Sequence, residues 1–251
     1  MPISKDLTDK WLLTDLEEWN SGICFANSGL YGPVVLKRNE DIRQLQREYD
    51  ALLRMGAVCC KVYGFAEGIL LEERILPGER LREVPSLEKR LDALTALWQD
   101  MHFPAEDMTY LNWVENACNV PELPDWLGAL GCKAEKICGE LFDRYPERML
   151  LHGDLHHDNI LRRQDGSYAV IDPKGVVGPR ILDLPRFLLN EPIENVLPAM
   201  ESLTAMLGYP SADLRKAYFV EAVLANMWLA EDGLYIREDL LSFAEYLLKN
   251  G

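Results

Sequence analysis

Basic residues and histidine are scarce in this 251-residue chain: Lys and Arg total 26 against 41 Asp and Glu, the formal net charge is −15, and there are 4 His. A surface of that sign repels phosphate backbones and anionic lipid, so neither nucleic acid nor membrane is an expected partner. No apolar run approaches the ~18 residues that cross a bilayer. The opening stretch MPISKDLTDKWLLTDLEEWN carries acids among its apolar residues and lacks the charged-then-apolar layout of a signal peptide, so a cytoplasmic location is expected. The six cysteines, Cys24, Cys59, Cys60, Cys118, Cys132 and Cys138, form no C-x-x-C pair, and reduced thiols are expected. Internal repeats, low-complexity tracts and linkers are also missing. What remains is ordinary globular composition, 48% hydrophobic and 27% charged, in a length that suits one large domain or two joined lobes, as a monomer or homodimer.

The first quarter reads as short strands around one helix. Gly22–Ser28 and Pro33–Arg38 flank a glycine-containing turn and predict an antiparallel hairpin. Asn39 is the expected cap of a helix over 40–55, in which Ile42, Leu45, Tyr49, Leu52 and Leu53 recur at helical spacing, with Gly56 closing it. Val58–Phe65 and Ile69–Ile75 predict a second strand pair. Pro77-Gly78 then marks a boundary between a lobe of residues 1–76 and one of residues 77–251. Beyond it the pattern becomes helical: a helix capped by Ser86 with Leu87, Leu91, Leu94, Trp98 and Met101 on one face, another over 126–145, and three more over 193–207, 211–230 and 237–250. Residues 149–172 interrupt with strand character and a hairpin turn at Gln164-Asp165-Gly166-Ser167. The class is α+β.

Chemistry concentrates in that interruption. His152, Asp154, His156, His157, Asp158 and Asn159 fall within eight consecutive positions. A di-metal hydrolase would need further ligands downstream, and no histidine follows His157. A structural reading makes the cluster a hydrogen-bonded buried turn. A third reading uses more residues. Asp154 and Asn159 are five apart, the spacing between the aspartate that faces the attacking hydroxyl and the asparagine that holds Mg²⁺ in a kinase catalytic loop. Asp172, thirteen residues on at the end of a hairpin strand, reaches the same metal if the hairpin returns the chain to its start.

The run His152-Gly153-Asp154-Leu155-His156-His157-Asp158-Asn159 resembles the His-Gly-Asp-x-His-x-x-Asn signature of the aminoglycoside phosphotransferase and choline kinase relatives of protein kinases. With Ile171-Asp172-Pro173-Lys174-Gly175, it is most similar to the streptomycin 6-kinase and hydroxyurea kinase branch, over about residues 19–228. The resemblance implies a two-lobed protein-kinase-like fold, with a small antiparallel-sheet lobe carrying one key helix and a larger, mainly helical lobe. It also implies an ATP-dependent O-phosphotransferase that uses Mg²⁺, with GTP left open as donor, acting on a small cationic acceptor such as a streptomycin-like aminoglycoside. By carry-over, Asp154 orients the acceptor hydroxyl, Asn159 and Asp172 hold Mg²⁺, Lys37 binds the nucleotide phosphates and Glu48, eleven positions on, fixes Lys37. Leu70–Ile75, with Glu73 and Ile75 at its end, is the expected adenine hinge. Ser21 and Gly22 form a phosphate-covering turn with nothing like G-x-G-x-x-G. Lys174 is expected to meet the transferring phosphoryl group, and His152 to hold the loop. Candidate acceptor contacts are His156, Asp183, Trp228, Glu231 and Asp232. The chain reads Gly178–Arg186 where relatives have a short acidic segment leading into Asp-Leu-Ala. The rival readings are a metabolic kinase for a sugar, ketosamine or amino alcohol, and a nucleotide-binding pseudokinase.

Overall fold

A computed structural model describes residues 3–120 and 123–250. In chain order it contains α1 (Lys5–Trp11), β1 (Leu13–Asn20), β2 (Ile23–Ser28), β3 (Gly32–Lys37), α2 (Ile42–Met55), β4 (Val62–Ala66), β5 (Ile69–Glu73), β6 (Pro77–Arg80), α3 (Leu87–Met101), α4 (Tyr110–Cys118), α5 (Asp125–Arg144), β7 (Met149–Leu151), β8 (Ile160–Arg163), β9 (Tyr168–Val170), β10 (Val176–Gly178), α6 (Leu184–Leu188), α7 (Ile193–Leu207), α8 (Ser211–Glu231) and α9 (Glu238–Lys249). Two compact units result, one running to Glu83 and taking in Asp158–Gly175, the other built from Val84–His157 and the chain from Val176 onward. The division at 76/77 read from the sequence differs in two respects, the first being that the boundary falls after Glu83. β8 pairs with β6, and this returns Asp158–Gly175 to the first unit.

The first unit is built on an antiparallel sheet in the order β1-β2-β3-β5-β4. Strand alternation turns Cys24 and Ala26 of β2 and Val34 and Leu36 of β3 to one face, where they pack with Ile69 and Leu71 of β5. The opening stretch contributes to this core. Ser4 caps α1, whose Leu7 and Trp11 are buried against the sheet, and Leu13 follows at the start of β1. Asp41, not Asn39, caps α2: its carboxylate accepts from the Arg43 and Gln44 N–H groups at 2.9 and 3.3 Å, while the Asn39 side chain accepts from Asp41 N–H at 2.9 Å and shapes the turn before it. The strand expected at 58–65 begins at Val62, because Gly56–Val58 first makes a 3₁₀ turn.

The second unit is mainly helical. Ser86 caps α3, as its position predicts, and Leu91, Leu94, Trp98 and Met101 are buried. α8 is buried on most of its circumference, from Leu214 to Met227, so it is apolar nearly all round and α5, α6 and α9 pack on it. The short pair β7 and β10 matches Leu151 with Val176 and fixes where the chain leaves β7 into the His152–His157 loop. Among the described residues no helix is long and apolar enough to cross a membrane.

Candidate active site

In the first unit four elements converge on one ammonium. β3 ends at Lys37, which is buried; its Nζ lies 2.8 Å from Glu48 Oε1 of α2 and 2.8 Å from Glu72 Oε1 of β5, and it also bonds Asp172 Oδ1 beyond β9. The Lys37–Glu48 pair expected from the sequence is formed. Burial opposes the ammonium charge, yet Glu72 and Glu48 hold Lys37 well above the usual lysine range. Burial pushes Glu72 up, against the pull of Lys37. Three carboxylates around one ammonium leave formal charge 1 − 3 = −2 in this cluster if all are ionised.

Asp172 comes beside Asn159 through the backbone: Ile171 N–H donates to the Asn159 carbonyl at 3.0 Å. Asp172 itself has φ of 60°, a left-handed conformation that a non-glycine residue adopts at some cost. Gly175, with φ of +68°, ends the same turn so close to α2 that a Cβ there would lie 3.2 Å from the Ala51 Cβ and from the Arg47 carbonyl. Asn159 and Asp172 offer oxygen donors inside a unit with surplus negative charge, which is the chemistry a hard cation such as Mg²⁺ requires, so the residues present fit that ion.

The other first-unit candidates are placed as follows. Ser21 and Gly22 form the tight turn between β1 and β2, where Gly22 N–H donates to Asn20 Oδ1 at 2.9 Å and Gly22 carbonyl accepts from Arg38 N–H at 2.8 Å. A Cβ at Gly22 would stand 2.8 Å from the Arg38 carbonyl, so close backbone approach explains that glycine. The side chain of Glu73 turns away from Lys37. It takes Arg163 Nη1 at 3.0 and 3.1 Å and Lys61 N–H at 3.1 Å, and lines a cavity of about 340 Å³ with Tyr31, Tyr63 and Arg163. Glu72, its unselected neighbour, is the acid on Lys37. Ile75 is buried beyond the β3–β5 ladder, and Lys174 is half-buried in the turn after Asp172.

In the second unit the His152–His157 loop is held from beneath. Asp183, 1% exposed, accepts from His152 N–H on Oδ2 and Gly153 N–H on Oδ1, both at 2.8 Å, and its Oδ2 lies 3.0 Å from His102 Nε2. This corrects the expectation that Asp183 contacts the acceptor: both its oxygens are spent inside the protein on the loop. His152 Nδ1 accepts from Asp154 N–H at 3.2 Å, the loop-holding role expected of it. His157 is also internal, with Nε2 3.1 Å from Glu191 Oε1 and its ring edge-on to Phe187. Those contacts give His152 and His157 an architectural use and take two of the cluster's three imidazoles from the di-metal reading. Although burial works the other way, His157 and Arg90 hold the Glu191 carboxyl down to about 2.

Asp154 stands above this anchor. Its Oδ1 takes Arg186 Nε at 2.8 Å, and its Oδ2 lies 3.7 Å from His156 Nε2. Arg186 also lies 3.4 Å from Glu221 Oε1, and Tyr110 OH donates to the other Glu221 oxygen. Burial pushes Glu221 up to about 7, against the pull of Arg186 and Tyr110. From Tyr110 the rings continue to Trp113 at 5.9 Å and to Trp228 at 5.6 Å, the last pair edge-to-face. Glu231 and Asp232 are exposed at the C-terminal end of α8.

Sequence reasoning had not selected Glu72, Tyr110, Trp113, Arg186 and Glu221. Two carried a signal: Arg186 follows Asp183 by one helical turn, and Glu221 is a lone acid in the apolar run Tyr218–Leu224 of α8.

Comparison with known proteins gives three findings. The model of the aminoglycoside/hydroxyurea antibiotic resistance kinase family matches residues 32–233. Streptomycin 3''-kinase of Klebsiella pneumoniae is 29% identical over 111 residues, 40% of this chain, and the match spans only 42% of that relative. Among solved structures, choline kinase LicA of Streptococcus pneumoniae superposes with a TM-score of 0.70 at 15% identity, covering 98% of this chain and 99% of that one. A thermostable aminoglycoside phosphotransferase APH(4)-Ia, in a ternary complex with ADP and hygromycin B, gives 0.67 at 15% identity, covering 98% and 96%. At these identities the structures establish the protein-kinase-like fold, with its small antiparallel-sheet unit and its mainly helical unit.

Proposed function

The chain belongs to the aminoglycoside/hydroxyurea antibiotic resistance kinase family, and from that premise we propose that it is an ATP-dependent phosphotransferase acting on a hydroxyl of a cationic small molecule, with a streptomycin-like aminoglycoside as leading acceptor. The observation that carries this reading is the Lys37 cluster: the strand lysine, the helix glutamate and the post-hairpin aspartate of a phosphotransferase meet on one ammonium.

Phosphoryl transfer asks a protein for position and charge, because negative charge spreads over the transferring oxygens. Lys37, held by Glu48, binds the nucleotide phosphates, and the backbone about Ile75 meets the base. Asn159 and Asp172 would hold Mg²⁺, which when bound neutralises phosphate charge. Asp154 accepts the proton of the acceptor hydroxyl late in transfer, and Lys174 faces the transferring group. For the acceptor, α4 and α8 offer the Trp113–Trp228 pair to a cation, and Glu231 and Asp232 lie at the end of α8 where the helix dipole is already negative. Acids there cost helix stability and favour a cationic ligand. The aromatic pair supports a second reading, a kinase of an amino alcohol, since a substituted ammonium suits the same rings.

Release of ADP from Mg-ATP or of GDP from Mg-GTP, measured against streptomycin, other aminoglycosides, amino alcohols, sugars and ketosamines, decides between these. Turnover on an antibiotic supports the leading acceptor, and turnover on an amino alcohol alone transfers the proposal to the second reading. Nucleotide binding without transfer to any acceptor refutes both and leaves a nucleotide-binding regulator. Asp154→Asn is expected to melt like the parent and to lose several orders of magnitude in kcat.

A further inference from the structure

We propose that Arg186 is the positioning residue for the Asp154 carboxylate: it holds Oδ1 and is itself held by Glu221 and Tyr110. This rests on the role given to Asp154 above.

The geometry is a relay across three helices. Arg186 of α6 places Nε 2.8 Å from Asp154 Oδ1, a charge-assisted bond of good length, and Oδ2 lies 3.7 Å from His156 Nε2. The bond to Arg186 restricts rotation of the carboxylate. Arg186 is three-quarters buried and its side chain has a second tether, Glu221 Oε1 of α8 at 3.4 Å. Tyr110 of α4 bonds Glu221 Oε2, so the tether cannot swing away. Glu221 is 1% exposed on a helix otherwise apolar at that level, a position that costs stability unless the charge is paired. Holding Arg186 gives that acid a use.

Guanidinium chemistry suits the task. It stays protonated throughout the working pH range, so it cannot take the proton that Asp154 must receive, and its planar fork bonds two carboxylates in fixed directions. Around this pair stand His156, Glu221 from α8, Tyr110 from α4 and Asp183.

The test uses the full chain, with ADP release on the best acceptor of the panel above, streptomycin first, alongside thermal melts. Arg186→Met is expected to lower kcat about 100-fold, as loss of alignment at a reacting group does, with nucleotide KM within twofold. Arg186→Lys keeps the charge and loses the fork, so it is expected to restore only part of kcat; it also carries the test if Arg186→Met does not fold. Glu221→Gln is expected to fall between parent and Arg186→Met in kcat. A folded Arg186→Met or Arg186→Lys with the parent's kcat, beside an inactive Asp154→Asn, overturns the positioning role and leaves the proposed function standing. An active Asp154→Asn overturns the proposed function itself.

Discussion

Replacing Asp183 by Asn tests whether that residue anchors the loop or contacts the acceptor. The carboxylate accepts from two loop N–H groups at 2.8 Å each and faces His102 Nε2 at 3.0 Å, at 1% exposure. An amide keeps one accepting oxygen. If it stays on Gly153 N–H, the new NH₂ faces the His152 N–H, and two donors oppose each other in a dry place. An orphaned buried donor costs about 1–3 kcal/mol and a lost charge-assisted bond a similar amount, so we expect Asp183→Asn to lose roughly 3 kcal/mol. Against a total stability of about 5–15 kcal/mol that is a large fraction. For a chain of this size it corresponds to a Tm lower by about 6–12 °C in a thermal melt. Turnover falls with it, because Asp154 sits on the loosened loop, while acceptor KM stays near the parent value. A melt within about 2 °C of the parent, combined with a raised acceptor KM, would refute the reasoning and return Asp183 to the acceptor site.

Glu191 gives a pH prediction. Its carboxyl, held down to about 2 in the folded protein, lies below the ordinary glutamate value of 4.5, so its contribution to stability is present above pH 4.5 and is lost as pH falls from there toward 2. Glu191→Gln therefore flattens the stability profile in that window, as read by denaturant unfolding at stepped pH, and an unchanged acid limb contradicts the assignment. Trp113→Leu removes one face of the aromatic pair, and with a cation–π contact worth about 0.5–2 kcal/mol the acceptor KM is expected to rise between twofold and thirtyfold. Nucleotide KM should not move; equal rises in both would argue against an acceptor-side role for that ring.

Legibility in the sequence followed the range of the interactions. α7 occupies the expected 193–207, and Ser86 caps α3, because helical periodicity and capping are written within a few residues. Lys37 and Glu48 were legible through the family resemblance, and Asn159 and Asp172 through their spacing from Asp154. Direction across a strand was not. Of adjacent Glu72 and Glu73, the one selected turns to Arg163, and its neighbour meets Lys37, since strand side chains alternate and the register is a tertiary fact. Asn39 was the expected cap of α2, but the carboxylate that reaches the Arg43 and Gln44 amides is that of Asp41, two residues on. α4 went unseen because its capping box uses Asn112, where Glu or Gln is the usual signal. Arg186 and Glu221 lie 35 positions apart and have meaning only once α6 packs on α8.

The turn that ends at Gly175 rests on Arg47 and Ala51, the residues flanking Glu48 on α2. Glu48 and Asp172 thus share one mount, like two jaws of a vice bolted to a common plate. The turn that carries the aspartate can come no nearer the helix without meeting the Arg47 carbonyl and the Ala51 methyl. The smallest residue is what makes the abutment so close, and a single added methyl would act there as a shim.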